Sequence, residues 1–193
     1  MALPNKENSI RYDDYLSWNE GTRCEVLNGE IISMSPSPTP KHQDILGGIY
    51  AEFRTYLKGK TCKVFISPID VCLFANQDSS EQDIQDWLQP DLLVVCDPKK
   101  IGDKRIVGCP DFVIEVLSPS TTKNDRVFKY NAYAKAGVKE YWIVDPYHEF
   151  IEVFLLKGNS FENSGQYFKS DMISLHLFGD FSLHLSEIFA TES

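Results

Sequence analysis

The stretch from Pro110 to Pro146, "PDFVIEVLSPSTTKNDRVFKYNAYAKAGVKEYWIVDP", decides how the chain is read. Its first part, "FVIEVLS" from Phe112 to Ser118, is an apolar, β-branched-rich run bounded by prolines, the pattern of a strand covered on both faces. Its last part, "EYWIVD" from Glu140 to Asp145, has the same character. Between them hydroxyl, Asn and Asp residues cap the start of a helix with apolar spacing through Val127, Tyr130 and Ala134, and Gly137 stops it. Strand, helix and strand in immediate succession predict a right-handed crossover between parallel strands. One residue conflicts with a buried strand. An ionised carboxylate at Glu115 is strongly destabilising unless a metal ion, a lysine or water in a cleft compensates it.

Toward the N-terminus, "PDLLVV" (90–95) is a second core strand, joined to the first by a connection carrying Lys99, Lys100, Lys104 and Arg105. Before it, "ANQDSSEQDIQDWLQ" (75–89) reads as an exposed loop, and "CKVFISPIDVCLF" (62–74) as one interrupted strand or two. A helix is expected from Lys41 to Lys58, where Ile45, Ile49, Phe53 and Leu57 recur every four residues on an inward face. "PSPTP" (36–40) is an extended loop, because proline cannot continue a strand. In "RCEVLNGEIISMS" (23–35), Asn28-Gly29 marks a two-residue hairpin turn between short strands. "RYDDYLSW" (11–18) suits a short helix with Tyr12, Tyr15, Leu16 and Trp18 inward. Beyond Phe150 short strands alternate with Gly, Asn and Ser turns, and "LSEIF" (185–189) suits one helical turn.

The 193 residues fit one domain (1–193, core about 12–189), large enough to enclose a single core. No run of 18 or more apolar residues occurs, and the start has neither a basic nor an apolar signal region, which argues against a membrane or secreted protein. Five cysteines without a Cys-x-x-Cys pair support neither a disulfide framework nor a zinc site. Cys72 and Cys96 read as small core residues in a reducing cytoplasm. The net charge of −9 argues against non-specific coating of nucleic acid. That charge is uneven: Thr121 to Lys139 holds Lys123, Arg126, Lys129, Lys135 and Lys139 against Asp125 alone, a basic element in an acidic whole.

Three polar groups ask for a common explanation. Asp91 opens one core strand, Glu115 sits inside the other, and Lys129 lies mid-helix just after. If the strands pair, the carboxylates converge at one edge of the sheet. Two close carboxylates repel each other, but they become favourable around Mg²⁺, which takes one or two carboxylates plus waters. Lys129 is four residues from both Asp125 and Tyr133, so all three share one helix face. From there it can point toward the carboxylates, align a water and neutralise charge on a phosphate oxygen. Asp111, at a strand entry, reads as structural.

At these residues the chain resembles the Uma-two family of restriction-endonuclease-like proteins, a branch of the PD-(D/E)XK nuclease superfamily. The matching stretches are "CEVLNGEIISMSPSPTPKHQDI", "PIDVCL", "QPDLLVV", the long segment from Pro110 to Pro146, and the closing "LSEIF". The resemblance implies an α/β fold of three layers, α/β/α, around a central mixed sheet. It also implies a Mg²⁺-dependent DNA endonuclease, with Mn²⁺ as a substitute, that leaves a 5′-phosphate and a 3′-hydroxyl. Asp91 would match the motif aspartate and Glu115 the acidic residue, with the Val116 carbonyl completing the metal site. The motif lysine is missing, since position 117 is Leu117, and Lys129 from the following helix would take its place. Glu25 and Asp70 also fall on family positions, Glu25 as a catalytic or metal-contacting residue or a cross-strand ion-pair partner. His42 would touch substrate or water, DNA would approach over the basic helix with Lys123 and Arg126 and over the 99–105 connection, and a homodimer would cut two strands. Two rival readings are a nuclease-fold domain that only binds nucleic acid or a protein, and a two-carboxylate glycosidase.

Overall fold

A computed structural model describes residues 9–18, 23–33 and 38–190. In chain order its elements are α1 (Tyr12–Leu16), β1 (Glu25–Leu27), β2 (Glu30–Ser33), α2 (Pro40–Tyr56), β3 (Lys63–Ile66), β4 (Asp70–Cys72), β5 (Leu92–Val95), β6 (Arg105–Val107) and β7 (Phe112–Val116). There follow a π-helical segment (Asn124–Lys129), α3 (Tyr130–Ala136), β8 (Glu140–Asp145), β9 (Phe150–Lys157), β10 (Ser160–Phe168), β11 (Met172–Ser174), β12 (Ser182–His184) and α4 (Leu185–Ile188).

The central sheet has six strands in the order β10-β9-β8-β7-β5-β3. The pair β7 and β8 is parallel and the other neighbours are antiparallel, so the sheet is mixed and the expected parallel pairing across the intervening helix is present. Strand period two splits each apolar run between two cores. Leu92, Val94, Phe112 and Ile114 face α2, α4 and the β11–β12 pair, where Phe53 stacks on Phe112 at 5.1 Å. Leu93, Val95, Val113, Tyr141 and Ile143 face α3, β4 and β6. With a core on each face, both parities must be apolar, which is why these strands read as continuous hydrophobic runs. Each large side chain buried this way contributes about 1.5–3 kcal/mol.

Several local expectations hold for the expected reasons. The helix expected from Lys41 to Lys58 is present as Pro40–Tyr56, starting one residue earlier because Thr39 caps it, accepting a hydrogen bond from the His42 N–H at 3.2 Å, and Pro40 fits the first turn, where its missing N–H costs nothing. Asn28 (φ 52°) and Gly29 (φ 72°) both take positive φ, the geometry of the tight hairpin turn. Gly137 ends α3 in the left-handed region at φ 98°. The stretch 62–74 forms two strands, β3 and β4. Of the "PSPTP" loop, residues 36 and 37 lie outside the described residues.

Other expectations are corrected. The 75–89 segment is not an exposed loop throughout: Ile84, Trp87 and Leu88 are buried, with bridges from Trp87 to Val26 and from Leu88 to Val71. Polar neighbours mask that burial in the sequence. Cys96 is not a free core thiol, because it is disulfide-bonded to Cys62, the two cysteines standing directly opposite one step beyond the Lys63–Val95 pair. Leu16 is exposed, since five residues of helix cannot turn every apolar side chain inward. Val127 is 45% exposed rather than inward. The helix widens to π geometry over Asn124–Lys129, which shifts its phase and turns Asp125 and Lys129 to the core in place of Val127.

Candidate active site

The register of the sheet brings the carboxylates together. β5 and β7 pair antiparallel with Leu92 opposite Ile114, so one step further Asp91 stands opposite Glu115. Directly opposed residues in an antiparallel pair project to the same face, here the face covered by α3. Asp91 is anchored at this edge: its Oδ2 accepts the Val116 N–H at 2.8 Å and lies 3.3 Å from His42 Nε2.

The π-helical turn drives Lys129 into the same place. Its ammonium is buried and makes three contacts, with Glu25 Oε1 at 2.8 Å, Glu115 Oε1 at 3.0 Å and Asp125 Oδ1 at 3.3 Å. Tyr133, one turn later, donates its hydroxyl to Glu115 Oε1 at 2.7 Å. Glu25 Oε1 also accepts the Gln89 N–H at 2.8 Å, and the Gln89 amide donates to Asp70 Oδ1 at 2.7 Å. Tyr12 donates to the other oxygen of Asp70 at 2.6 Å. A single polar network thus runs from Tyr12 through Asp70, Gln89 and Glu25 to Lys129 and Glu115. Asp70 acts one layer back, holding Gln89.

Four carboxylates, those of Glu25, Asp91, Glu115 and Asp125, meet one lysine here. Burial pulls the Lys129 pKa down, but Glu115 first, then Glu25 and Asp125, outweigh it and hold the ammonium well above its ordinary range. One positive charge cannot satisfy every carboxylate in so dry a site. Burial therefore pushes Glu115 well above the usual carboxylate range despite Lys129, and raises Glu25 and Asp125 in the same direction. At His42 burial acts downward, but the hydrogen bond and charge of Asp91 prevail and its pKa is raised. Buried negative charge is in surplus here, and a cation would relieve it.

These groups line an open cavity of about 840 Å³ with Glu25, His42, Asp91, Glu115, Val116, Asp125 and Lys129 on its wall. The donor set fits a hard cation. Among the described residues no protein donor reaches Glu115 Oε2 or Asp91 Oδ1, while their partner oxygens are engaged. No group of three or more His, Cys, Asp or Glu side chains among the described residues is placed to hold a metal ion. Mg²⁺ does not need such a group, since it is usually held by one or two carboxylates plus waters and substrate phosphate.

The residues anticipated from the sequence divide into two groups. Asp91, Glu115, Val116, Lys129, Glu25 and His42 all line the cavity. Lys123 and Arg126 do not: Lys123 lies over the Phe128 ring at 5.8 Å, and Arg126 pairs with Glu152 of β9 at 2.5 Å. Asp111 is structural, receiving Lys139 and the Cys96 N–H. Two participants lacked an assigned role from the sequence. Asp125 and Tyr133 were placed on the Lys129 face by spacing, yet only the folded chain shows that they grip Lys129 and Glu115. Arg23, an exposed cation on the cavity rim, carried no signal in the sequence beyond its charge.

A family model described as "Uma2: Putative restriction endonuclease" matches residues 12–186. An uncharacterized protein of Synechocystis sp. is 30% identical over 124 residues, 63% of this chain and 60% of that protein, so the chain spans about three fifths of the length of that curated relative. A crystal structure described as a putative nuclease belonging to DUF820, from Anabaena variabilis ATCC 29413, superposes with a TM-score of 0.71 at 19% identity. The match covers 93% of this chain and 97% of that one, and at such identity it establishes the fold: a central mixed sheet with helices, of the restriction-endonuclease-like α/β class. Among the described residues no helix is long and apolar enough to cross a membrane.

Proposed function

The chain belongs to the Uma2 family, and from that premise we infer that it is a Mg²⁺-dependent DNA endonuclease. The observation that carries this reading is the opposition of Asp91 and Glu115 at the edge of one cavity, each with an oxygen free of protein donors, beside a buried lysine. Asp91, Glu115 and the Val116 carbonyl would hold the ion. When bound, it would polarise the scissile phosphate and make a water more acidic.

The chain's own residues do the rest. The Val116 N–H and His42 fix Asp91 in one orientation, and Tyr133 and Lys129 fix Glu115. Glu25 and Asp125 keep Lys129 charged and in place. The ammonium donates a hydrogen bond to Glu115 and stands in ion-pair contact with Glu25 and Asp125. To orient a water or neutralise a phosphate oxygen, Lys129 gives up its longest contact, that to Asp125 at 3.3 Å. DNA meets the cavity over Arg23 rather than over Lys123 and Arg126. Acting on DNA, the protein works in the cytoplasm, and as a homodimer it would cut two strands.

The test is plasmid nicking with purified protein. Mg²⁺ or Mn²⁺ should support nicking that EDTA removes, and Glu115→Gln should abolish both nicking and metal binding. The closure of Lys129 by three carboxylates favours one alternative, an inert nuclease-fold domain that binds DNA or a protein. Metal-independent DNA binding without nicking would establish that alternative.

A further inference from the structure

Beyond the scissile phosphate the first cavity offers a nucleic-acid backbone little: its one buried lysine is surrounded by carboxylates, and its wall carries four acidic groups. A second cavity, of about 620 Å³, adjoins it, and Arg23, Pro68 and Gln89 line both. Its character is different. The half-buried side chains of Tyr15, Phe65 and Ile101 give it apolar walls, and Arg23, Lys104 and Arg105 give it cations. Of its two acids, Asp70 accepts from Tyr12 and Gln89, and Asp103 is exposed on the rim beside Lys104. Lys104 is exposed and forms no ion pair among the described residues, while Arg105 is tied to Glu81 at 2.9 Å and braced over the Tyr12 ring.

A recess with aromatic walls, a cationic rim and an edge shared with the catalytic cavity suits one ligand chemistry: an anionic backbone bearing a flat apolar ring. A paired base cannot enter it, because its faces are covered by its neighbours in the stack. We propose that the second cavity is a subsite for an unpaired nucleotide of the DNA strand flanking the scissile phosphate. Its base packs against Phe65 and Tyr15, and its phosphate lies on Lys104 and Arg23. The protein therefore selects DNA with a frayed, mismatched or single-stranded nucleotide next to the cut over perfect duplex. This rests on the nuclease reading for the identity of the strand, but the recess and its preference are tested separately.

Fluorescence anisotropy with Ca²⁺ in place of Mg²⁺ would compare a blunt DNA duplex, the same duplex with a short single-stranded tail, and the free strand. The tailed duplex and the strand are expected to bind about tenfold or more tightly than the blunt duplex, since neither pays for unpairing and each gains a stacked base. 2-Aminopurine in the tail should be quenched on binding, and Phe65→Leu, which keeps an apolar side chain but removes the ring, should remove the quench. Lys104→Glu should erase the preference for tails while leaving Mg²⁺ affinity, measured by calorimetry, unchanged. Equal affinity for blunt and tailed DNA, or a preference that survives Lys104→Glu, overturns the proposal even if the enzyme nicks plasmid. A tail preference lost in Lys104→Glu upholds it even if no nicking occurs, and the nuclease reading alone then fails.

Discussion

Replacing Lys129 by methionine, which keeps the length of the side chain but removes its charge, leaves Glu25, Glu115 and Asp125 buried with no cation within reach. Removing one partner of a buried ion pair typically costs about 3–5 kcal/mol, because the remaining charge stays desolvated. Whole domains are stable by only about 5–15 kcal/mol. For a chain of this size each kcal/mol moves Tm by roughly 2–4 °C, so a drop of about 6–20 °C is expected at pH 8. The penalty must shrink in acid. Carboxylates whose folded pKa lies above the ordinary 4.5 bind more protons folded than unfolded, so stability is lost as pH rises from about 4.5 through the raised values. In the variant that loss deepens, since nothing offsets the charged forms. Lys129 itself has the opposite position: its raised pKa makes its contribution complete below 10.5 and lost only above it. Thermal unfolding followed by circular dichroism at pH 5.5 and pH 8 should show a small gap between wild type and variant in acid and a large one at pH 8. A variant within about 2 °C of wild type at pH 8 would falsify the idea that Lys129 neutralises this cluster.

In the nicking assay Lys129→Ala should cost about 10²-fold or more in turnover with metal affinity roughly kept, and unchanged turnover would remove the lysine from the chemistry. Asp91→Asn should weaken Mg²⁺ binding measured by calorimetry; equal affinity would confine Asp91 to anchoring Val116. Saturating Mg²⁺, at about 100 times its Kd, should stabilise the wild type by about 2.7 kcal/mol, and Glu115→Gln should show no such shift. Gly29→Ala is expected to destabilise by more than about 1 kcal/mol, because φ is +72° and a Cβ would stand 1.8 Å from Ser9 Oγ; an unchanged denaturation midpoint would contradict that packing. Protein isolated without reductant and then unfolded should titrate three thiols per chain, those of Cys24, Cys72 and Cys109, and five would show that the Cys62–Cys96 bond does not form.

The sequence by itself determined the parts governed by local rules. Continuous apolar runs marked β5, β7 and β8 as strands with a core on each face, and a helix between the last two required their parallel pairing. Asn28-Gly29 determined a hairpin, and the recurrence of Ile45, Ile49, Phe53 and Leu57 every four residues a helix. Glu115 declared a site simply by being a charge in a buried run, and the spacing from Asp125 to Tyr133 put three partners on one face. What the tertiary structure decided were matters of register and competition. Only the pairing of Leu92 with Ile114 sets Asp91 opposite Glu115. Only the π-helical turn rotates Lys129 inward and Val127 outward, because its wider hydrogen-bond ring is favoured by what the turn buries and not by the residues in it alone. Partners distant in sequence were decided there too: Arg126 is drawn away to Glu152, Cys62 meets Cys96, and Trp87 and Leu88 are pulled from a polar loop into the core. Each of these outcomes depends on which surfaces two remote segments present to each other, and no local pattern carries that information.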